Sequence, residues 1–495
     1  MIESPLFYAV LTYLPATLGF LGCIRPKIIF PVAIAVLLGI SGYSLSAIDT
    51  GIEISYKLMW IGGIEFSFDK FTFPLLFGSC ISLLIVFGLF KERLTHYFYQ
   101  ISLVLLTALT IAFSAQDLIS IYIALELTGF CAFIIIADRN DNKSLFNAFQ
   151  YLIGGGLAML IYLIGVVQAF QFSGSFLISD LSTETTPALC LIVAGLLTKA
   201  GIFICGLWVP NIYSHANSQS AAILSGCVTC AGVAPIARLS TGMEPIQNSM
   251  VVIGVLSGII AALYAVFEQD DGRALGWSSV SQLGFAILSP TYACIYAMQH
   301  GICKTLLFST LNSQINQKDN ASKNNEAAEW IMVIIFVIAS LSIVGIPLTS
   351  GFLTKTWLKG DIPNEARLIT STATLMTATV YARLIWSRIN QYNKNKEIEK
   401  SNAKSFLNII KPKNMILMTS GILIIIYGLS YNGAYYSANV RDSLIALMLG
   451  SLLYTSVTGL QTENFIKPVT RTLDLVGAPF VVAALLLANL FYFKI

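Results

Sequence analysis

The sequence is a succession of apolar runs of about 18–22 residues, the length an α-helix needs to cross a ~30 Å hydrocarbon layer. Every backbone polar group in that layer must be satisfied internally, which restricts continuous apolar runs to helices. The pattern predicts helices at 6–23, 28–48, 71–90, 97–114, 118–137, 147–171, 187–208, 219–239, 248–268, 273–290, 291–311, 328–357, 366–387, 414–432, 440–459 and 475–493. Composition agrees: 56% of residues are hydrophobic and 11% charged, which overrules the several soluble domains that 495 residues would suggest. The expected fold is an all-α polytopic membrane protein of about 14–16 transmembrane helices, with the lipid bilayer as its surroundings.

Residues 52–70 alternate polar and apolar around Gly62-Gly63, which predicts a hairpin on the outer side. Basic residues fall in alternate loops: Arg25 and Lys27, Lys91 and Arg93, Arg139 and Lys143, Lys318 and Lys323, the stretch 388–413, and Lys467 with Arg471. The loops near 174–186 and 431–439 hold no Lys or Arg. The positive-inside rule then puts both termini on the outer side of what would be a prokaryotic inner (plasma) membrane. No run is followed by a small-residue cleavage site, so a removable signal peptide is not expected.

The net charge of +3 is spread along loops and excludes nucleic acid as an expected partner. All nine cysteines lie in or beside apolar runs and read as small buried hydrophobes. Cys227-x-x-Cys230 sits inside a predicted helix, so neither a metal nor a cofactor is expected there. Gly154-Gly155-Gly156 lies in an apolar helix and suggests close helix packing.

Against this background a few ionisable residues stand out. Glu126 lies roughly 12 Å into its helix, and Lys199 is about as deep in its own. A charge at mid-membrane depth costs roughly 2.5–3.5 kcal/mol on insertion scales, so it is kept when paired or when moving charge is its task. His300 and Lys304 share a helix face at i and i+4. Lys355 follows a segment interrupted by Gly345, Pro347 and Gly351, and the helix of Lys199 is expected to break at Trp208-Val209-Pro210. Two charged, interrupted helices roughly 150 residues apart are the pattern of a transporter built from two repeats. A buried lysine beside a carboxylate can load and release a proton as its partner moves. Other readings are open: a Lys–Glu pair can be packing glue, and Lys355 can snorkel from a helix end. Taken alone, His300 reads more simply as a satisfied interface histidine than as a relay.

At these residues the sequence resembles the antiporter-like subunits shared by Mrp-type multisubunit Na+/H+ antiporters and respiratory complex I. The matching pieces are AQDLISIYIALEL (115–127), LLTKAGIFICGLWVP (196–210), SAAILSG (220–226), GWSSVSQLGF (276–285), HGICKTLLF (300–308) and GIPLTSGFLTK (345–355). The resemblance implies two inverted five-helix repeats with discontinuous helices and a central hydrophilic axis carrying protons. It implies that Glu126 is the acidic partner of Lys199, that His300 and Lys304 are the bridging pair, and that Lys355 is the lysine of the second broken helix. Three positions depart from the family pattern. Cys230 stands where a second central lysine is usual, Tyr213 where a loop histidine is usual, and Leu348 where a second proline is usual.

The implied organisation is 1–96, N-terminal helices and outer hairpin; 97–240, first repeat; 241–390, second repeat; and 391–495, a basic loop and C-terminal helices. The implied function is that of a proton-translocating, non-enzymatic subunit of an Mrp-type cation/proton antiporter, with protons, Na+ and other membrane subunits as partners. Two alternatives remain. One is a proton-pumping, non-catalytic subunit of a complex I-type NAD(P)H-quinone oxidoreductase or membrane-bound hydrogenase. The other is a structural subunit that has lost transport. The sequence shows no long C-terminal lateral helix of the kind some complex I members carry, which favours the Mrp-like reading.

Overall fold

A computed structural model describes residues 5–58, 64–137, 142–182, 185–311, 326–398 and 412–458. The chain opens with α1 (Pro5–Ile24) and α2 (Ile29–Thr50), then the two-stranded hairpin of β1 (Ile54–Leu58) and β2 (Ile64–Phe68). The strands pair antiparallel with Ile54 opposite Phe68 and Leu58 opposite Ile64, as the alternation predicts. The helices α3 (Thr72–Phe90), α4 (His96–Ser114), α5 (Leu118–Ile136), α6 (Asn142–Ser173) and α7 (Thr186–Ala200) follow. Next come α8 (Trp208–His215), α9 (Ser218–Ile223), α10 (Val233–Gly242), α11 (Glu244–Phe267), α12 (Asp271–Ala286) and α13 (Ala293–Leu311). The described chain ends with α14 (Glu326–Val344), α15 (Ser350–Asp361), α16 (Asn364–Ile398), α17 (Pro412–Leu429) and α18 (Ser437–Thr458).

Among the described residues, nine helices are long and apolar enough to cross a membrane by themselves. Others fall short because they are interrupted or because they carry the polar residues of the interior. α7 stops at Ala200, and α13 holds Gln299, His300 and Lys304. The protein is an integral, multi-pass membrane protein.

Three expectations are corrected and one break is where it was expected. The helix predicted over 187–208 ends at Ala200, because Gly201 adopts a left-handed conformation (φ 67°) and closes the last turn. Pro210 therefore does not make the break; it lies in the first turn of α8, where its missing N–H costs nothing. The interruption expected at Gly345 within 328–357 is present: α14 ends at Val344, and Gly345 again takes a left-handed φ of 88°. The basic stretch predicted as a loop from 388 is helical to Ile398, and Arg388 is 3% exposed. The predicted helix 475–493 and Arg139, Lys318, Lys323, Lys400, Lys404, Lys411, Lys467 and Arg471 lie outside the described residues.

The connections define two faces. Gln116 N–H donates to Glu65 O, Leu118 N–H to Phe176 O, and Ile178 N–H to Gln116 O. The hairpin, the α4–α5 turn and the α6–α7 connection are thus laced together on one face. On the other face Lys413 at the start of α17 pairs with Glu92 between α3 and α4 (2.9 Å). This alternation is the one the loop charges predict.

Candidate functional site

Both discontinuous helices bring a lysine to the end of their first half. Lys199 sits in the last turn of α7. Lys355 lies in α15 and reaches back across the break, where Nζ donates to the carbonyl of Val344, the last residue of α14 (3.0 Å). A helix C-terminus presents unsatisfied carbonyls and about half a negative charge, so each half-helix end favours an ammonium. Trp208 Nε1 satisfies one of the α7 carbonyls by donating to Thr198 O (2.9 Å).

Lys199 Nζ is 3.9 Å from Glu126 Oε1, with the side chains 7% and 24% exposed. That distance is beyond a hydrogen bond, so the pair interacts through Coulomb attraction alone. Glu126 Oε1 has no hydrogen-bond partner among the described residues. Two glycines make room for the ammonium. A Cβ on Gly129 of α5 would stand 2.9 Å from Lys199 Nζ, and one on Gly155 of α6 would stand 3.4 Å from it. Gly154 and Gly156 meet open space. The packing role expected of the triple glycine is therefore corrected: its middle member fits the lysine, and the outer two pack against nothing.

α13 carries the next buried groups. Lys304 is fully buried; Nζ donates to Leu275 O of α12 (2.7 Å) and lies 5.7 Å from the Tyr381 ring centroid. Ser278 Oγ and Tyr381 Oη are hydrogen-bonded at 3.0 Å. His300 is 1% exposed, and neither ring nitrogen has a hydrogen-bond partner among the described residues. The expectation of a satisfied interface histidine is not met. Lys304 lies one turn away from His300 on the same helix. Gln299 Nε2 donates to Ser342 Oγ (3.0 Å), and the Ser342 hydroxyl also meets Ser350 Oγ (3.1 Å) and the Gly351 N–H (3.2 Å). Polar groups thus run from α13 into the second break. Gly351 is required there, because a Cβ would collide with Ser342 O. Pro347 lies in the connection between α14 and α15.

Between the two lysine-bearing breaks runs a distorted helix. Every residue of Ser218–Ser240 is buried, and the span is not a regular α-helix. It contains a π turn at Leu224–Val228 and a 3₁₀ turn at Thr229–Gly232. Such insertions cluster at functional sites because they redirect side chains and free carbonyls. Cys230 stands in this segment, 2% exposed, with Sγ 3.7 Å from the carbonyls of Gly226 and Ala297. Tyr213 is buried with its ring 5.3 Å from Phe308, and its hydroxyl has no partner among the described residues. His215, two residues on, is hydrogen-bonded to Ser214 and Asn211 in an exposed position.

Sequence reasoning missed one buried ion pair. Arg238 of α10 forks onto Asp69 (2.7 and 2.9 Å) and donates to Thr72 Oγ1 (2.9 Å), Ser67 O (3.2 Å) and Phe113 O (2.9 Å). It also stacks over Phe71 at 5.1 Å. A charged residue at the end of an apolar run was the available signal. The cluster ties the hairpin to α4 and α10 at the hairpin face.

A helical membrane protein with two broken spans, a lysine at each break and a buried polar axis between them belongs to the class of ion-moving membrane subunits. The family described as NADH:quinone oxidoreductase/Mrp antiporter, TM, matches residues 115–379, and the chain belongs to it. It is 23% identical over 364 residues to NADH-quinone oxidoreductase subunit N of Francisella tularensis, covering 66% of this chain and 75% of that protein. It is 25% identical over 328 residues to a subunit of the Na(+)/H(+) antiporter of Alkalihalophilus pseudofirmus, covering 59% of this chain and 66% of that one. Other subunit N relatives are matched over 52–64% of their length. Among solved structures, a chain of the Mrp complex from a Dietzia species superposes with a TM-score of 0.72 at 17% identity, covering 91% of this chain and 98% of that one. A chain of respiratory complex I from Thermus thermophilus superposes with a TM-score of 0.68 at 17% identity, covering 85% and 96%. The fold is that of an antiporter-like membrane subunit of the Mrp or complex I type.

Proposed function

We propose that this chain translocates protons as one subunit of a multisubunit Mrp-type cation (Na+)/H+ antiporter, in contact with other membrane subunits. The observation that carries the reading is the Glu126–Lys199 pair at 3.9 Å. The two groups come from different spans and attract without a hydrogen bond to lock them. A small approach or retreat of the carboxylate changes how tightly Lys199 holds its proton. The proton then passes along the buried axis through His300 and Lys304 to Lys355. One proton moving inward down 100 mV releases about 2.3 kcal/mol and one monovalent cation leaving costs the same, so coupled export draws on a proton gradient or on more than one proton per cation. The Alkalihalophilus pseudofirmus antiporter relative supports the Mrp assignment.

The subunit N relatives favour a second reading, in which electron transfer in other subunits drives the same proton path. The test is purification of the intact assembly and assay of inverted vesicles. An Mrp-type protein copurifies with small membrane subunits and dissipates a ΔpH on addition of Na+. A redox-driven one copurifies with iron–sulfur and quinone subunits and acidifies vesicles only with an electron donor.

A further inference from the structure

The family pattern carries a second central lysine and a loop histidine, and this chain has Cys230 and Tyr213 in their places. The Cys230 thiol is engaged: Sγ reaches the carbonyls of Gly226 and Ala297 at 3.7 Å each, and a Cβ on Gly301 would stand 3.5 Å from it. It is wedged against α13 at the turn that carries His300, with only a weak S–H to offer. Tyr213 is the reverse case. It is 1% exposed, yet its hydroxyl has no partner among the described residues. A phenolic hydroxyl both donates and accepts, and burying it unpaired is costly.

The short helix α8 sets this side chain between two lysine sites. At its start, Trp208 Nε1 donates to Thr198 O, the residue before Lys199 (2.9 Å). Two residues on, Pro210 packs on α12, where a Cβ on Gly276 would stand 2.6 Å from Pro210 Cα. Gly276 follows Leu275, whose carbonyl accepts from Lys304 Nζ (2.7 Å). Near the end of α8 the Tyr213 ring stands edge-on to Phe308 (5.3 Å, 87°) and to Trp208 (6.4 Å, 85°). Phe308 is one turn from Lys304 on the same face of α13. The ring thus has a neighbour on the Lys199 side in Trp208 and one on the Lys304 side in Phe308.

We propose that Tyr213 relays protons from Lys199 to the His300–Lys304 pair, a neutral hydroxyl taking the part of the ionisable groups that this chain lacks. The proposal rests on proton transfer through Lys199. Oη accepts on a lone pair the proton that leaves the Lys199 ammonium, and releases its own O–H proton toward His300 or Lys304, with water completing the link on either side. Lys199 is left as an amine and the α13 group becomes the cation. The tyrosine stays neutral throughout, and rotation about its C–O bond resets it. A neutral relay avoids the cost of burying another cation at this depth.

Two substitutions in the intact complex separate relay from packing. Tyr213→Phe keeps the ring on Trp208 and Phe308 and removes only the hydroxyl. It is expected to assemble and to unfold at the same temperature or higher, because an unpaired buried group is lost. Its proton flux per assembled complex should fall about a hundredfold, the low end of what a positioned proton-transfer group contributes. Tyr213→His fills the site less well but restores a donor and an acceptor, and should carry several-fold more flux than Tyr213→Phe. A packing role predicts the opposite order. Wild-type flux in Tyr213→Phe, failure of that variant to assemble, or flux in Tyr213→His no higher than in Tyr213→Phe overturns the relay. Failure of the proton-transfer reading itself would appear elsewhere, as full antiport in Lys199→Ala.

Discussion

Gly129 lies one turn from Glu126 on α5 and directly under the Lys199 ammonium, so that a Cβ at Gly129 would stand 2.9 Å from Nζ. The acid and the space for its cationic partner are built into the same helix turn. Gly129→Ala should push the lysine away from Glu126 and lower coupled transport several-fold, with an overpacking cost of about 1–3 kcal/mol. Gly154→Ala, whose Cβ meets nothing within 4 Å, should leave transport and stability unchanged. Proton flux and thermal unfolding of the two purified variants check the contrast.

Lys304 is fully buried, and its ammonium donates to the Leu275 carbonyl rather than to a carboxylate. Such a residue is kept at the expense of stability. Lys304→Met should abolish proton flux while leaving stability equal or raising it by about 1–4 kcal/mol, the range seen when buried ionic groups give way to apolar ones. Thermal unfolding in detergent is the measurement; a clear drop would show that Lys304 serves the fold.

The Asp69–Arg238 fork behaves in the opposite way. It is buried, bidentate and joined to three further acceptors, so removal of one partner leaves an uncompensated charge. Arg238→Ala should cost about 3–5 kcal/mol. Arg238→Lys should recover only part of this, because an ammonium cannot make the forked contact. Denaturation of the three proteins side by side orders them.

Much of this is legible in the sequence because membrane depth makes charge expensive. Glu126, Lys199, Lys304 and Lys355 stand out as exceptions within apolar runs. The hairpin is visible because period-two alternation over 52–70 has no helical equivalent. The first break is misplaced from sequence because Pro210 looks like the breaker, whereas the left-handed Gly201 ends the helix. The π and 3₁₀ turns around Cys230 leave no trace, since hydropathy reports burial and not the hydrogen-bond register. Asp69 and Arg238 escape notice because they lie at the ends of runs, where charge is ordinary.

The laced connections make a prediction about sidedness. In a background lacking Cys23 and Cys190, Ser179→Cys should be labelled by an impermeant thiol reagent from the same side as a tag in the hairpin. Arg93→Cys should be labelled from the opposite side. The loop charges assign the first to the outside and the second to the cytoplasm.

The most direct measurement is proton flux in inverted vesicles carrying fully assembled complexes with Lys199→Ala or Glu126→Ala. The buried-axis account predicts that both variants assemble, as judged by copurifying subunits, and that ion-coupled ΔpH changes fall to background in each. Normal flux in either assembled variant would contradict it.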